Sequence, residues 1–207
     1  MPADNSKKMH WETVYANKNP NEVSWTQEKP ISSLRLISNT GLSKTAEIID
    51  IGGGDSQLVD FLLDEGYVNL TVLDISAKAI EKAMARLGKK SKKVNWLHKD
   101  MVDFIPTKKY DVWHDRAAFH FLTNSSDIKR YVEVVKKFVS KELILASFSK
   151  NGPLRCSGLD ITQYDMDSIK EQFKDNFELI EGFYKDHQTP FNTTQNFLFA
   201  RFRRIKQ

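Results

Sequence analysis

A single cysteine, Cys156, stands among 207 residues. An internal disulfide is therefore excluded, and so is a CxxC metal or redox pair; a reducing compartment is the default. Long hydrophobic runs are also missing: no stretch approaches the ~20 apolar residues that cross a bilayer. The opening segment from Met1 to Lys8 is polar and lacks the apolar centre of a secretory signal. The expected location is cytoplasmic, with no membrane partner. Nor is there a strong excess of one charge. Lys plus Arg number 31 against 27 for Asp plus Glu, a net +4. Basic residues bunch at Lys89, Lys90, Lys92 and Lys93, and again at Arg201, Arg203, Arg204 and Lys206. A nucleic-acid footprint would need such clusters to share one face with aromatic platforms. They read instead as a solvated helix end and a soluble C-terminal strand, so no nucleic-acid partner is expected. Repeats and low-complexity stretches are absent. With 40% hydrophobic and 28% charged residues, the chain is long enough and apolar enough to build one ordinary globular core.

The chain is organised by alternation. Residues 1–7 read as a loose tail, and His10 to Ala16 as a short helix with Trp11 and Tyr15 on one face. Asn17 to Asn21 reads as a turn around Pro20. Ile31, Leu34 and Ile37 have helical spacing, and Gly41 can end that helix. From Ala46 onward, short apolar runs alternate with amphipathic segments. Strands are expected at 46–51, 70–73, 94–97, 110–113 and 143–148. Helices are expected at 56–65, at 77–87 behind Ser76 as N-cap, and at 126–138. Strands separated by helices of this length make parallel βαβ units, covered on both faces. Residues 177–184 and 196–202 then form two strand-like segments joined only by a loop at 185–195. No parallel crossover fits so short a link, so the two should pair antiparallel. The expected fold is a Rossmann-like, doubly wound α/β sheet of seven strands: five parallel, then a C-terminal antiparallel hairpin.

The most informative segment runs from Ile48 to Ser56: a strand, then Gly52, Gly53 and Gly54, then a helix. Glycines there let the backbone approach a ligand and adopt φ > 0, and the helix N-terminus offers free N–H groups. Asp74 ends the next strand, twenty residues after Gly54, where a carboxylate can take both hydroxyls of a ribose. Two cofactors fit this much. A dinucleotide site wants a third glycine for its pyrophosphate, and Gln57 stands there instead. Asp50, inside the strand end, suits a ligand that brings a cation to the loop. S-adenosylmethionine has such a cation in its α-amino group.

These residues resemble the motifs of class I S-adenosylmethionine-dependent methyltransferases. Asp50-x-Gly52-x-Gly54 is similar to the acid-x-Gly-x-Gly pattern that closes the first strand of that family. Asp74, followed by Ile75, resembles its ribose-binding acid. Asp100 resembles the acid that meets the adenine amino group, with Met101 giving the backbone N–H to the ring. Tyr110-Asp111-Val112-Trp113 resembles the family's fourth strand, and a sheet ending in a hairpin is also shared. The resemblance covers residues 46–150 and the hairpin. It implies S-adenosylmethionine as cofactor, one domain over 1–207, and a division into a capping segment (1–45), a cofactor-binding core (46–150) and a substrate-side part (151–207). Asp115 and Arg116, just past the fourth strand, join the implied cofactor-binding set.

Trp11-x3-Tyr15 followed by Ser24-Trp25 is similar to the N-terminal segment of methyltransferase-like protein-lysine methyltransferases and thiopurine-type enzymes, which folds over the methionine end of the cofactor. Trp11, Tyr15 and Trp25 therefore enter the cofactor-binding set; a hydrophobic staple onto the core is the other reading. The lysine enzymes tend to carry Asp-Lys-Gly after the fourth strand, where this chain has His114-Asp115-Arg116-Ala117. The acceptor is expected to be a small molecule, with protein-lysine methylation as the alternative enzyme and a non-catalytic nucleotide-binding module as the alternative class. No metal is expected, because His114, His120 and His187 show no ligand spacing. His120 and His187 are the candidates for a catalytic role. Cys156 has no evident base beside it and reads as a bystander thiol.

Overall fold

The computed structural model describes residues 5–205. The helix expected from His10 begins earlier, so α1 spans Asn5–Asn17; residues 1–4 of the expected tail, and Lys206 of the second basic cluster, lie outside the described residues. α2 (Ile31–Ser38) precedes the alternating part. There follow β1 (Glu47–Ile51), α3 (Leu58–Asp64), β2 (Asn69–Asp74), α4 (Ala77–Leu87), β3 (Val94–His98), β4 (Tyr110–Arg116), α5 (Ser125–Phe138) and β5 (Val139–Phe148). A two-residue hairpin, β6 (Arg155–Cys156) with β7 (Leu159–Asp160), and α6 (Met166–Phe173) lead to β8 (Phe177–Gln188) and β9 (Thr194–Arg204). The seven-stranded sheet has the order β3-β2-β1-β4-β5-β9-β8. Its first five strands are parallel, and β9 joins β5 and β8 antiparallel.

Apolar residues line both faces, as parallel strands require. On one face Ile49, Ile51, Trp113 and Leu145 meet Tyr131 and Val135 of α5 and Phe173 of α6. On the other, Ile48, Val72, Val112 and Ile144 meet Leu36 of α2 and Leu58 and Leu62 of α3. Several boundaries differ from the sequence reading; β5, for one, begins at Val139 and not at Leu143. β4 does not stop at Trp113 but continues to Arg116. The hairpin strands run through much of the expected loop, leaving a turn at Thr189–Thr193. Thr189 closes it: its Oγ1 accepts from the amides of Phe191 and Thr193, both at 3.2 Å, while Asn192 takes φ 59°. The polar alternation Lys185, His187 looked like loop but is an edge strand.

The second basic cluster is not a solvated run. Arg201 is buried and donates to Glu142 at 3.1 Å, Arg203 donates to the same carboxylate at 2.7 Å, and Arg204 donates to the carbonyls of Lys136 and Val139. These arginines tie β9 to β5 and to the end of α5.

Candidate functional site

The sheet reverses direction of winding between β1 and β4, where ligands bind at the carboxyl ends of open α/β sheets. A cavity of about 480 Å³ lies there. Asp50, Gly52 and Gly53 from the end of β1, Asp74 and Ile75 from β2, Asp100 and Met101 after β3, and Arg116 from β4 all line it, as do Trp11, Tyr15 and Trp25.

The glycine loop is shaped by what it packs against. Gly52 has φ +66°, and a Cβ there would stand 2.9 Å from Ala118 Cβ. A Cβ on Gly53 would come 2.5 Å from an Asp50 carboxylate oxygen, and one on Gly54 2.5 Å from an Asp74 oxygen. Gly53 and Gly54 thus let two carboxylates crowd one turn of backbone. Gly54 itself does not line the cavity; it is the spacer between Asp74 and Ala79. Gly52 and Gly53 donate to the Leu73 carbonyl at 2.8 and 3.2 Å, which fixes the loop to the end of β2.

Asp74 is buried and accepts from the Ser76 amide at 2.8 Å. Burial, with the Asp50 and Glu12 carboxylates adding to it, pushes its pKa up to about 7. Ser76 caps α4 as its sequence position suggested, accepting from Ala79 N at 3.1 Å. Asp100 accepts from the Val102 amide at 2.9 Å, which orders the loop after β3. Asp50 is held by His114, Oδ1 to Nδ1 at 2.6 Å, and His114 Nε2 meets Ser33 Oγ at 2.8 Å. All three are buried.

Over the cavity, Trp11 packs edge-on against Trp25 and Phe121, with ring centroids 5.5 and 5.1 Å away, and Tyr15 lies 6.2 Å from Trp11. Burial raises the Tyr15 phenol pKa far above its ordinary value. Glu12, between the two aromatic positions, reaches α4: it accepts from Ala77 N at 2.8 Å, Lys78 N at 3.0 Å and Ser76 Oγ at 2.9 Å.

Besides Gly54, three expected site residues are placed elsewhere or differently. Asp115 lies on the opposite face of β4 from His114 and Arg116, because side chains alternate along a strand. It is fully buried and accepts from Ala118 N, Phe119 N and the Tyr131 hydroxyl at 3.0, 3.0 and 2.7 Å. Burial raises its pKa to about 6. It braces the turn after β4 and does not reach the cavity. His120 is also fully buried outside the cavity, its Nδ1 accepting from Phe148 N at 3.3 Å. Burial, with Arg116 adding to it, drops its pKa to about 3, so it stays neutral and has no route to a ligand. His187 donates from Nε2 to the Ser24 carbonyl at 2.7 Å and faces a second, smaller cavity. Cys156 does line the larger cavity, and burial raises its thiol pKa to about 11, which keeps it a thiol. Sequence reasoning missed Glu12, Ser33, His114 as partner of Asp50, and Phe121. None belongs to a spaced motif; only the end of β4, read two faces at a time, could have brought out His114.

A family model described as a methyltransferase domain matches residues 48–142. Among curated proteins, EEF1A lysine methyltransferase 2 of Danio rerio is 24% identical over 189 residues, covering 86% of this chain and 78% of its own. Among solved structures, a SAM-dependent methyltransferase from Anabaena variabilis superposes with a TM-score of 0.76 at 14% identity, covering 99% of this chain and 96% of that one. The N-methyltransferase NodS from Bradyrhizobium japonicum, in complex with S-adenosyl-L-homocysteine, superposes at 0.65 with 17% identity, covering 98% and 100%. Magnesium protoporphyrin IX methyltransferase from Synechocystis, with bound SAM, gives 0.67 at 15% identity, covering 97% and 92%.

Proposed function

From the premise that residues 48–142 form a methyltransferase domain, we propose that the chain moves a methyl group from S-adenosylmethionine to a small acceptor. The observation that carries this reading is the convergence of Asp50, Gly53, Asp74 and Asp100 on one cavity from the ends of successive parallel strands. Its volume of about 480 Å³ falls within the ~300–1,000 Å³ of small-molecule and cofactor sites. The residues present fit the cofactor. Asp74, a buried carboxylate that accepts from the backbone amides of Ser76 and Gly54, still has acceptor capacity left for ribose hydroxyls. Asp100, which lines the same cavity, would meet the adenine amino group. Asp50 would meet the α-amino group, and the glycine that would otherwise carry a Cβ into that carboxylate leaves room.

When bound, S-adenosylmethionine supplies an electrophilic methyl group on a sulfonium. The chain's own work is then to position and to dry. Asp74 and Asp100 fix the nucleoside end. His114 and Ser33 hold Asp50 so that one carboxylate edge faces the loop. Trp11, Trp25 and Phe121 line the cavity and exclude water. A base is needed only for an acceptor that arrives protonated, and none of the described histidines is free in the larger cavity to supply one: His114 is spent on Asp50 and Ser33.

Protein-lysine methylation is the second reading. The curated lysine enzyme, 24% identical, favours it; the His114-Asp115-Arg116-Ala117 stretch after β4 speaks for a different acceptor. Calorimetry should find binding of S-adenosylmethionine and S-adenosylhomocysteine and none of NAD. Tight NAD binding without S-adenosylmethionine binding would overturn the cofactor assignment. Labelled S-adenosylmethionine offered to metabolite and peptide pools then separates the two acceptor readings.

A further inference from the structure

Next to the larger cavity lies one of about 190 Å³, and the two share a wall made by Gln27 and Arg116. Its floor is apolar, formed by Phe197 and Phe199 of β9. Its rim is basic. Lys185 and His187 stand on the same side of β8 by strand alternation. Asp186 also lines the cavity, and its carboxylate already accepts from Asn196 Nδ2 at 2.6 Å. Lys185 has no ion pair among the described residues.

Arg116 is the unusual member. Its guanidinium is packed over the Phe197 ring, 5.4 Å from the centroid, and donates once, from Nη1 to the Trp25 carbonyl at 3.0 Å. Nε and Nη2 are buried without a hydrogen-bond partner, and no carboxylate pairs with the group among the described residues. These two nitrogens form the side edge of the guanidinium, the edge that takes a carboxylate through two parallel bonds. A buried cation left without an anion is costly. Burial pulls its pKa down to about 10, against the attraction of Asp50, so it is still charged at neutral pH.

We propose that the smaller cavity is the acceptor site, and that it takes a small acceptor with a flat apolar body and a carboxylate. The carboxylate pairs with Arg116 and Lys185, and the apolar body lies on Phe197 and Phe199. The volume, below the ~300 Å³ at which drug-sized sites begin, suits a molecule about the size of one substituted ring. This assignment rests on the reading that the larger cavity holds the cofactor; it gives Arg116 to the acceptor, where the sequence resemblance gave it to the cofactor. A peptide acceptor presenting a lysine would bring a cation to a basic rim, and the proposal excludes it.

The test uses the full chain saturated with S-adenosylhomocysteine and two probes, 4-fluorobenzoate and 4-fluorobenzamide, followed by fluorine NMR titration. The two have the same body and differ in charge. The carboxylate should bind at least about tenfold more tightly than the amide, because charge-assisted hydrogen bonds are the strong ones. Lys185→Glu, an exposed strand position, should weaken the carboxylate about tenfold and leave S-adenosylhomocysteine affinity unchanged. Equal binding of acid and amide, binding of neither, or a Lys185→Glu protein that binds the acid as the parent does would overturn the proposal. If S-adenosylhomocysteine fails to bind in the first step, the cofactor reading falls and the acceptor site with it; that failure is seen before either probe is added.

Discussion

Glu12 accepts the Ser76 hydroxyl at 2.9 Å, and through that bond the N-terminal helix is fastened to the strand end that carries Asp74. The same carboxylate takes the first two free amides of α4, so an acid from a distant segment does the work of a helix cap. Those hydrogen bonds from Lys78, Ala77 and Ser76 outweigh burial and hold the Glu12 pKa below its ordinary value. A lowered carboxylate pKa contributes stability that is present above the unfolded value and is lost as pH falls through the folded one. Glu12→Gln keeps the shape and removes the charge. It should cost about 0.5–2 kcal/mol, the worth of a helix cap, at pH 7 and much less at pH 3, read by urea denaturation at both. An equal cost at the two pH values would show that the charge does not matter.

Asp74 should behave in the opposite sense. Its folded pKa, near 7, lies above the unfolded value, so its burial is tolerated while protonated and becomes a burden as pH rises from about 4 to 7. The ligand-free protein should therefore gain stability from Asp74→Asn at pH 8, with Tm rising about 2–4 °C for each kcal/mol recovered. S-adenosylhomocysteine affinity should move the other way. Parent affinity should improve between pH 6 and 8 as the carboxylate ionises. Asp74→Ala should lose about 2–4 kcal/mol of it, since bonds to a charged group are worth ~1.5–3 each before non-additivity. An unaltered affinity in the alanine variant would mean that the carboxylate does not face the ligand.

Ser33, His114 and Asp50 form a buried chain of hydrogen bonds. His114→Leu fills much of the space but leaves both ends unsatisfied, which should cost about 1–3 kcal/mol for each buried group left alone. Ser33→Ala should cost ~1 kcal/mol, because His114 keeps Asp50. Cofactor affinity should follow Asp50: nearly unchanged in Ser33→Ala, weakened in His114→Leu. Equal losses in the two variants would mean that His114 does not orient the carboxylate.

The parts of the fold that could be read from the sequence are those in which one period dominates. Strand β1, its glycines and the cap at Ser76 announce themselves because apolar runs, φ > 0 and an N-cap each need particular residue types. The end of β4 did not, because His-Asp-Arg is polar on both faces and looks like loop. Only burial of Asp115 beneath α5 makes it strand, and that depends on Tyr131, sixteen residues away. β8 was cut short for the same reason: as an edge strand it needs no alternating apolar face, and its polar half has no sequence signal of its own. Glu12 could not be foreseen, since its partners are 64 to 66 residues distant.

The aromatic segment allows the sharpest test of how the site closes. Trp11 packs on Phe121, and Trp11, Tyr15 and Trp25 pack on one another, but the long-range polar ties of α1 are few: the partly exposed Glu12 carboxylate and a bond between His10 Nε2 and Ser157 Oγ at 3.2 Å. Few polar ties and a rim position place a segment at the low end of local opening free energies. Closure over a ligand adds contacts between the rings and that ligand, and ligand-site lids commonly order this way. Amides from Met9 to Thr26 should therefore exchange faster than those of β1 and β4 in the free protein and gain protection when S-adenosylhomocysteine is added. Trp11→Ala should weaken S-adenosylhomocysteine binding while leaving the sheet amides as they were. Amides from Met9 to Thr26 that are fully protected before any ligand is added would show the segment to be a permanent staple on the core, and the aromatic cluster would then be packing rather than a lid.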